Sequence, residues 1–266
     1  EALAAAASGA AAQAAVGKRG TFIHMAQLET EAALEKITAW LRELYGQRLL
    51  SLIAYGSVAG GNHRGRRSDL NLLAVLDQVD AVTLDRGAPA VRWWKQQGHP
   101  PLVVLSREEQ NNSADVFPIE YLDIHNHHRV LHGEDVFAAI ARHPELHRLQ
   151  VEHDLRTRVL RLRGVYMGLG DDARGLEGLM LDSVSSFLTL FRHALMALGE
   201  PMILHKDEVL RAAAARFQFD PAPVQQVLQA HRSGQRLAGG KLAMLRGLFA
   251  AYLAAVMKVE QSLEVS

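Results

Sequence analysis

Leu49-Leu50-Ser51-Leu52-Ile53-Ala54-Tyr55-Gly56-Ser57 and, after eleven residues, Asp69-Leu70-Asn71-Leu72-Leu73 are the stretches whose reading decides the fold. Leu49 to Tyr55 is a short apolar run closed by a glycine, the pattern of a buried strand. Val58 to Arg67 is rich in glycine and basic residues and reads as a loop, or a short helix plus a loop. Leu70 to Leu76 is apolar again and reads as a second strand. Residues 69 and 71 stand two apart, so on a strand their side chains share one face. Two oxygen donors on one face can hold a divalent cation against phosphate, and Mg²⁺ prefers such a set. Gly56 lets the backbone approach a phosphate, and the Ser57 hydroxyl with nearby N–H groups can donate to its oxygens.

Working outward, Leu34, Ile37, Leu41 and Leu44 recur at helical spacing, which predicts an amphipathic helix from Gln27 to Tyr45 ending at Gly46. A helix interrupted near Pro89 is expected over Ala81 to Gln97, a third strand over Pro101 to Leu105 and a fourth over Val116 to Ile124. Strands alternating with helices indicate an α/β (α+β) domain with a small mixed sheet. After about residue 142 strand signals stop. Leu155, Val159, Leu162 and Tyr166 form one helical stripe. Met180, Val184, Phe187, Phe191 and Leu198 form a second, and Leu242, Leu245, Phe249, Tyr252, Val256 and Val259 a third. These predict an all-helical bundle. The expected divisions are 1–24 as a cloning remnant or helical leader, 25–142 as the α/β domain and 143–266 as the bundle.

The Gly56-Ser57 turn followed by Asp69-Leu70-Asn71 resembles the signature of the nucleotidyltransferase superfamily, which includes the DNA polymerase β palm and the kanamycin and minimal nucleotidyltransferases. The resemblance is closest over residues 49–76 and extends loosely to about 136. It implies Mg²⁺-dependent transfer of a nucleoside monophosphate from ATP or another NTP to an acceptor hydroxyl. It also implies roles: Asp69 as the principal metal ligand, Asn71 as auxiliary, and Gly56 and Ser57 against the phosphates. A third acid is expected on a later strand, and both Glu120 and Asp123 fit. Three apart on a strand, they would point to opposite faces. Glu120 is preferred, as third ligand or base, with Asp123 its substitute. The family's acid would then precede a turn at Leu131-His132-Gly133.

Two departures matter. Asn71 stands where the family has a second Asp, so one formal negative charge is lost. Gly60 stands where the family often has Arg, leaving Arg64, Arg66 or Arg67 to supply positive charge. Asn71 leaves open an altered one-metal enzyme, a nucleotide-binding pseudoenzyme, or a protein that has kept only the fold. The enzyme reading leads. Its acceptor is a small hydroxylated molecule or a protein hydroxyl, bound where the two domains meet. The competing reading is a degenerate module that binds nucleotide or a partner protein.

Composition trims the alternatives. Lys+Arg and Asp+Glu both number 29, which counts against nucleic acid as the partner. With no cysteine, disulfides and thiolate zinc sites are excluded, and a reducing cytoplasm is the default compartment. The longest apolar run, Gly247 to Met257, is about half the ~20 residues a bilayer requires, so no membrane span is expected.

Several clusters have simpler explanations. His125, His127, His128 and His132 read as a polar turn rather than a zinc site, although His125 and His127 would share a strand face. The basic residues of a helix expected over Arg142 to Arg163 read as a solvated face paired with Glu145, Glu152 and Asp154. One or two of them facing a triphosphate is the ambitious alternative. Trp93-Trp94 reads as helix packing, and Gly239-Gly240-Lys241 as a connecting turn.

Overall fold

The computed structural model describes residues 28–56, 70–138 and 143–264. The leader segment therefore lies outside the described residues, as do Ser57, Arg64, Arg66, Arg67 and Asp69. The chain divides into two compact units, Glu1–Arg142 and His143–Ser266.

In the first unit, helix α1 spans 28–45. Strands β1 (Leu49–Tyr55) and β2 (Asn71–Leu76) follow, then helix α2 (Ala81–Gln96), strand β3 (Val103–Ser106), helices α3 (Arg107–Asn111) and α4 (Pro118–Asn126), and strand β4 (His128–Gly133). Among the described residues the strands form one mixed sheet in the order β3-β2-β1-β4. β1 pairs antiparallel with β2 and with β4, while β2 and β3 run parallel.

Strand alternation sorts the two cores. Leu52, Ala54, Leu72, Ala74 and Leu76 face Leu34, Ile37 and Leu41 of α1 and Ala90 and Trp94 of α2. Ile53, Leu73 and Val75 face the other way, onto Tyr121 and Ile124 of α4 and onto Phe137. Covered on both faces, β1 and β2 read as continuous apolar runs.

Three expectations are corrected in this unit. The stretch expected as a fourth strand, Val116 to Ile124, holds helix α4 instead. Pro118 occupies its first turn, where the missing N–H costs nothing and the fixed φ suits a helix. Pro118, Tyr121 and Ile124, three apart, make the buried stripe. The fourth strand is β4, which contains the segment expected as a turn. α2 runs uninterrupted through Pro89, with Ala90 and Trp94 beyond the proline fully buried. The third strand begins at Val103 rather than Pro101.

The second unit contains helices α5 (Pro144–Leu169), α6 (Ala173–Ala197), α7 (Lys206–Phe217), α8 (Ala222–Ser233) and α9 (Leu242–Glu264). α5 starts at Pro144 and runs past Arg163, so it is longer and later than expected. α6 is central and packs on the other four helices. Asp172 caps it, accepting from the Arg174 and Gly175 amides. Buried Glu177 accepts from the Leu237 amide at 2.6 Å and Arg236 Nε at 2.7 Å, which ties down the turn at Leu237–Gly240.

The expectation of no membrane-length apolar segment is also corrected. Leu242–Leu263 of α9, 22 residues of mean hydropathy 1.6, is long and apolar enough by length and composition alone. Its Leu245, Phe249, Tyr252, Val256, Val259 and Leu263 are buried in the bundle, as a core helix requires. The arginines of α5 are largely engaged locally. Arg156 pairs with Glu260 and, more loosely, Glu152, and Arg148 donates to the Leu263 carbonyl.

Candidate active site

The site is built at the end of the sheet where β1 stops and β2 starts. Tyr55, the last residue of β1, is the cross-strand partner of Asn71 on β2 and of His128 on β4. Residues directly opposite share a face, so Asn71, Tyr55 and His128 form a row across three strands. Tyr55 packs with the cluster that includes Ile53, Tyr121 and Ile124, which places the row on the α4 side. Gly56 follows at φ +93°, a conformation that side-chain-bearing residues rarely adopt, and turns the chain away from the strand.

α4 brings Glu120 to this same side. Its carboxylate lies near enough to act electrostatically on the Tyr55 hydroxyl. That hydroxyl is held above its ordinary value of 10.0, first by burial and second by the charge of Glu120. Glu120 itself is exposed in the first turn of the helix. The expectation that Glu120 and Asp123 point to opposite faces is corrected: on a helix, residues three apart are neighbours on one side. Asp123 is half-buried one turn further along.

The helix is anchored by side chains that bond to backbone. The Tyr121 hydroxyl donates to the Gln110 carbonyl at 3.0 Å, and His125 Nδ1 donates to the Phe137 carbonyl at 3.0 Å. His128 is hydrogen-bonded through Nδ1 to the Ile124 carbonyl at 2.7 Å and through Nε2 to Asp135 Oδ1 at 3.0 Å. His125 and His127, expected on one strand face, instead lie in α4 and at its C-terminal cap, while His128 and His132 lie in β4. His125 and His128 serve as hydrogen-bond anchors. Trp94 is fully buried and stacks on His99, so it packs the helix to the sheet.

The structure therefore brings Gly56, Asn71 and Glu120 to one end of the sheet, with Asp123 one helical turn from Glu120. Tyr55, His128 and Asp135 were not assigned roles from sequence. Their signal is faint: Tyr55 sits inside the motif, and His128 follows Ile124 by four residues. Among the described residues no group of three or more His, Asp or Glu side chains is placed to hold a metal. The donors that are described near this end, the Asn71 amide oxygen and the Glu120 carboxylate, are hard oxygens of the kind Mg²⁺ takes.

No protein-family profile matches the chain, and no curated protein matches it by sequence. Among solved structures it is similar to spectinomycin adenyltransferase AAD(9) from Enterococcus faecialis, determined with ATP and spectinomycin. The TM-score is 0.52 at 14% identity, and the match covers 85% of this chain and 99% of that one. The chain accordingly has a nucleotidyltransferase fold, a small mixed sheet followed by a helical C-terminal unit.

Proposed function

We propose that this chain transfers a nucleoside monophosphate, from ATP in the first instance, to a hydroxyl of a small-molecule acceptor. The observation that carries the reading is that Asn71 faces Tyr55 across β1 and β2, beside Gly56, and that Glu120 acts electrostatically on the same tyrosine, at the sheet end where the sequence signature expects the triphosphate. The shared fold with an adenyltransferase solved with ATP and spectinomycin supports it and favours a small acceptor over a protein hydroxyl.

In this reading Asp69, Asn71 and Glu120 hold Mg²⁺, with Asp123 the nearest substitute carboxylate. The cation supplies charge neutralisation of the triphosphate and its pyrophosphate leaving group. Gly56 presents backbone without a side chain, so phosphate can come close. The Ser57 hydroxyl donates to phosphate oxygens, and Arg66 and Arg67 add positive charge. As the alternative to its ligand role, Glu120, exposed in the first turn of α4, accepts the proton of the acceptor hydroxyl as its oxygen attacks the α-phosphorus. The bond from that phosphorus to the leaving pyrophosphate breaks.

Asn71 favours one second reading, a site that binds nucleotide without turnover. Calorimetric titration with ATP and with a non-hydrolysable analogue, with and without Mg²⁺, on the wild type and on Asp69→Ala tests the binding common to both. Mg²⁺-dependent binding that disappears in the variant is the expected result. No binding under either condition sinks both readings. A search for AMP transfer to aminocyclitol and aminoglycoside acceptors then separates enzyme from binding module.

A further inference from the structure

α4 carries Glu120, yet little of its stability is its own. It is nine residues long, and Phe117 at its N-cap position offers no side-chain cap. Helices this short are marginal in water without tertiary support. Its last turn leaves carbonyls without intrahelical partners. His128 satisfies one of these, the Ile124 carbonyl, through Nδ1 at 2.7 Å.

The same ring reaches Asp135 Oδ1 through Nε2 at 3.0 Å, and that oxygen also accepts the Phe137 amide at 3.0 Å. The ring lies 5.9 Å from the Phe137 ring, centre to centre, and its side chain is 13% exposed. His128 is at once the first residue of β4 and the cross-strand partner of Tyr55. One imidazole therefore joins the end of α4, the edge of the sheet and the turn after β4, directly beside Tyr55. Ile124 lies one turn after Glu120, so a shift at one is carried to the other along the helix.

We propose that His128, held by Asp135, is the positioning residue that fixes α4 and so sets the place of Glu120 at the end of β1. This rests on reading Glu120 as a site carboxylate, but the placement is testable without any reaction.

The experiment follows backbone amide hydrogen exchange by NMR at neutral pH in the wild type, His128→Ala, His128→Asn and Asp135→Ala. His128→Ala raises the exchange rates of the α4 amides at least about tenfold while those of α6 in the bundle stay put. His128→Asn, whose amide can still donate to the Ile124 carbonyl, recovers much of the wild-type protection.

Unchanged α4 exchange in folded His128→Ala overturns the proposal. If His128→Ala does not fold, Asp135→Ala, which frees the Nε2 side and the Phe137 amide together, must raise α4 exchange or the proposal falls. Where transfer activity is present, His128→Ala lowers kcat at least about tenfold while KM for ATP stays within about twofold, the pattern of a lost transition-state interaction. Absence of activity in the wild type bears on the proposed function alone, because exchange in α4 still decides whether His128 holds the helix.

Discussion

Tyr55 and Asn71 face each other across β1 and β2, and both point to the side on which α4 lies. The tyrosine is the last residue before the Gly56 turn, and the asparagine is the first of the returning strand. On the proposed reading, in which Glu120 shares this site, Asn71 supplies a neutral amide where an aspartate would add charge. Neutrality has a benefit, since a second carboxylate near Glu120 repels it whenever no cation is present.

Asn71→Asp should therefore change cation demand in a definite direction. The added charge strengthens cation binding by about 1.4 kcal/mol, which corresponds to about tenfold in the Mg²⁺ concentration needed for half-maximal ATP binding. Without Mg²⁺ the same variant should melt at a lower temperature than the wild type. Calorimetry across a Mg²⁺ series and thermal melts in chelator check both halves. An unchanged Mg²⁺ requirement would place the residue 71 side chain away from the cation.

Gly133 closes β4 at φ +78°, and a Cβ there would run into the Leu50 carbonyl on β1. The Glu134 amide donates to that same carbonyl at 3.2 Å, so the two strands cannot separate freely. Gly133→Ala combines left-handed strain with a backbone clash and should cost at least about 2 kcal/mol. Urea denaturation reads the loss as a lower midpoint. Gly46→Ala, at φ +54° but with open space around its Cβ, is the control expected to cost less.

How far the fold could be read from sequence follows from burial. β1 and β2 are legible because they are covered on both faces, and β1 is closed by a glycine. β4, His-Arg-Val-Leu-His-Gly, is an edge strand whose side chains are mostly half-buried, so no alternation marks it. α4 is masked in the sequence because Ile119 and Tyr121, two apart, suggest strand alternation, whereas the helix buries Pro118, Tyr121 and Ile124, three apart. Pro118 was the better guide.

The site inherits both outcomes. Asn71 opens β2, as the apolar run after it predicts, whereas the shared side of Glu120 and Asp123 depends on the element type. His128 was hidden because its value lies in Asp135, across a turn, and in Ile124, whose carbonyl carries no sequence signature.

Tyr252 makes the bundle sensitive to alkali. Its hydroxyl is buried, shares a 2.9 Å hydrogen bond with Ser183 Oγ, and is pushed above the ordinary 10.0, chiefly by burial. The folded state holds this proton more tightly than the unfolded state does. The resulting stability is fully present below the unfolded value of about 10 and is lost as the pH rises through the folded value. Tyr252→Phe should lose about 1 kcal/mol at neutral pH from the missing hydrogen bond. It should also decline less steeply than the wild type above about pH 10. Chemical denaturation at pH 7 and over the alkaline range gives both slopes.

Asp80 gives the acid counterpart in the first unit. It is the N-cap of α2, and its Oδ1 accepts the Thr83 amide at 2.7 Å. The hydrogen bonds from Thr83 hold its carboxyl below the ordinary 3.8, with smaller help from Arg48 and Arg86. A lowered folded value gives stability that is present above the unfolded pKa and is lost as the pH falls through the folded one. Asp80→Ala should therefore lower the melting temperature at neutral pH, and the gap from wild type should close as the pH drops below about 4. Asp80→Ser, which keeps a capping oxygen without the charge, should recover most of the neutral-pH loss and show a flatter acid limb. A melting series from pH 7 to about 3 on the three proteins decides it, and a gap of constant size over that range would mean the carboxylate charge contributes nothing to the cap.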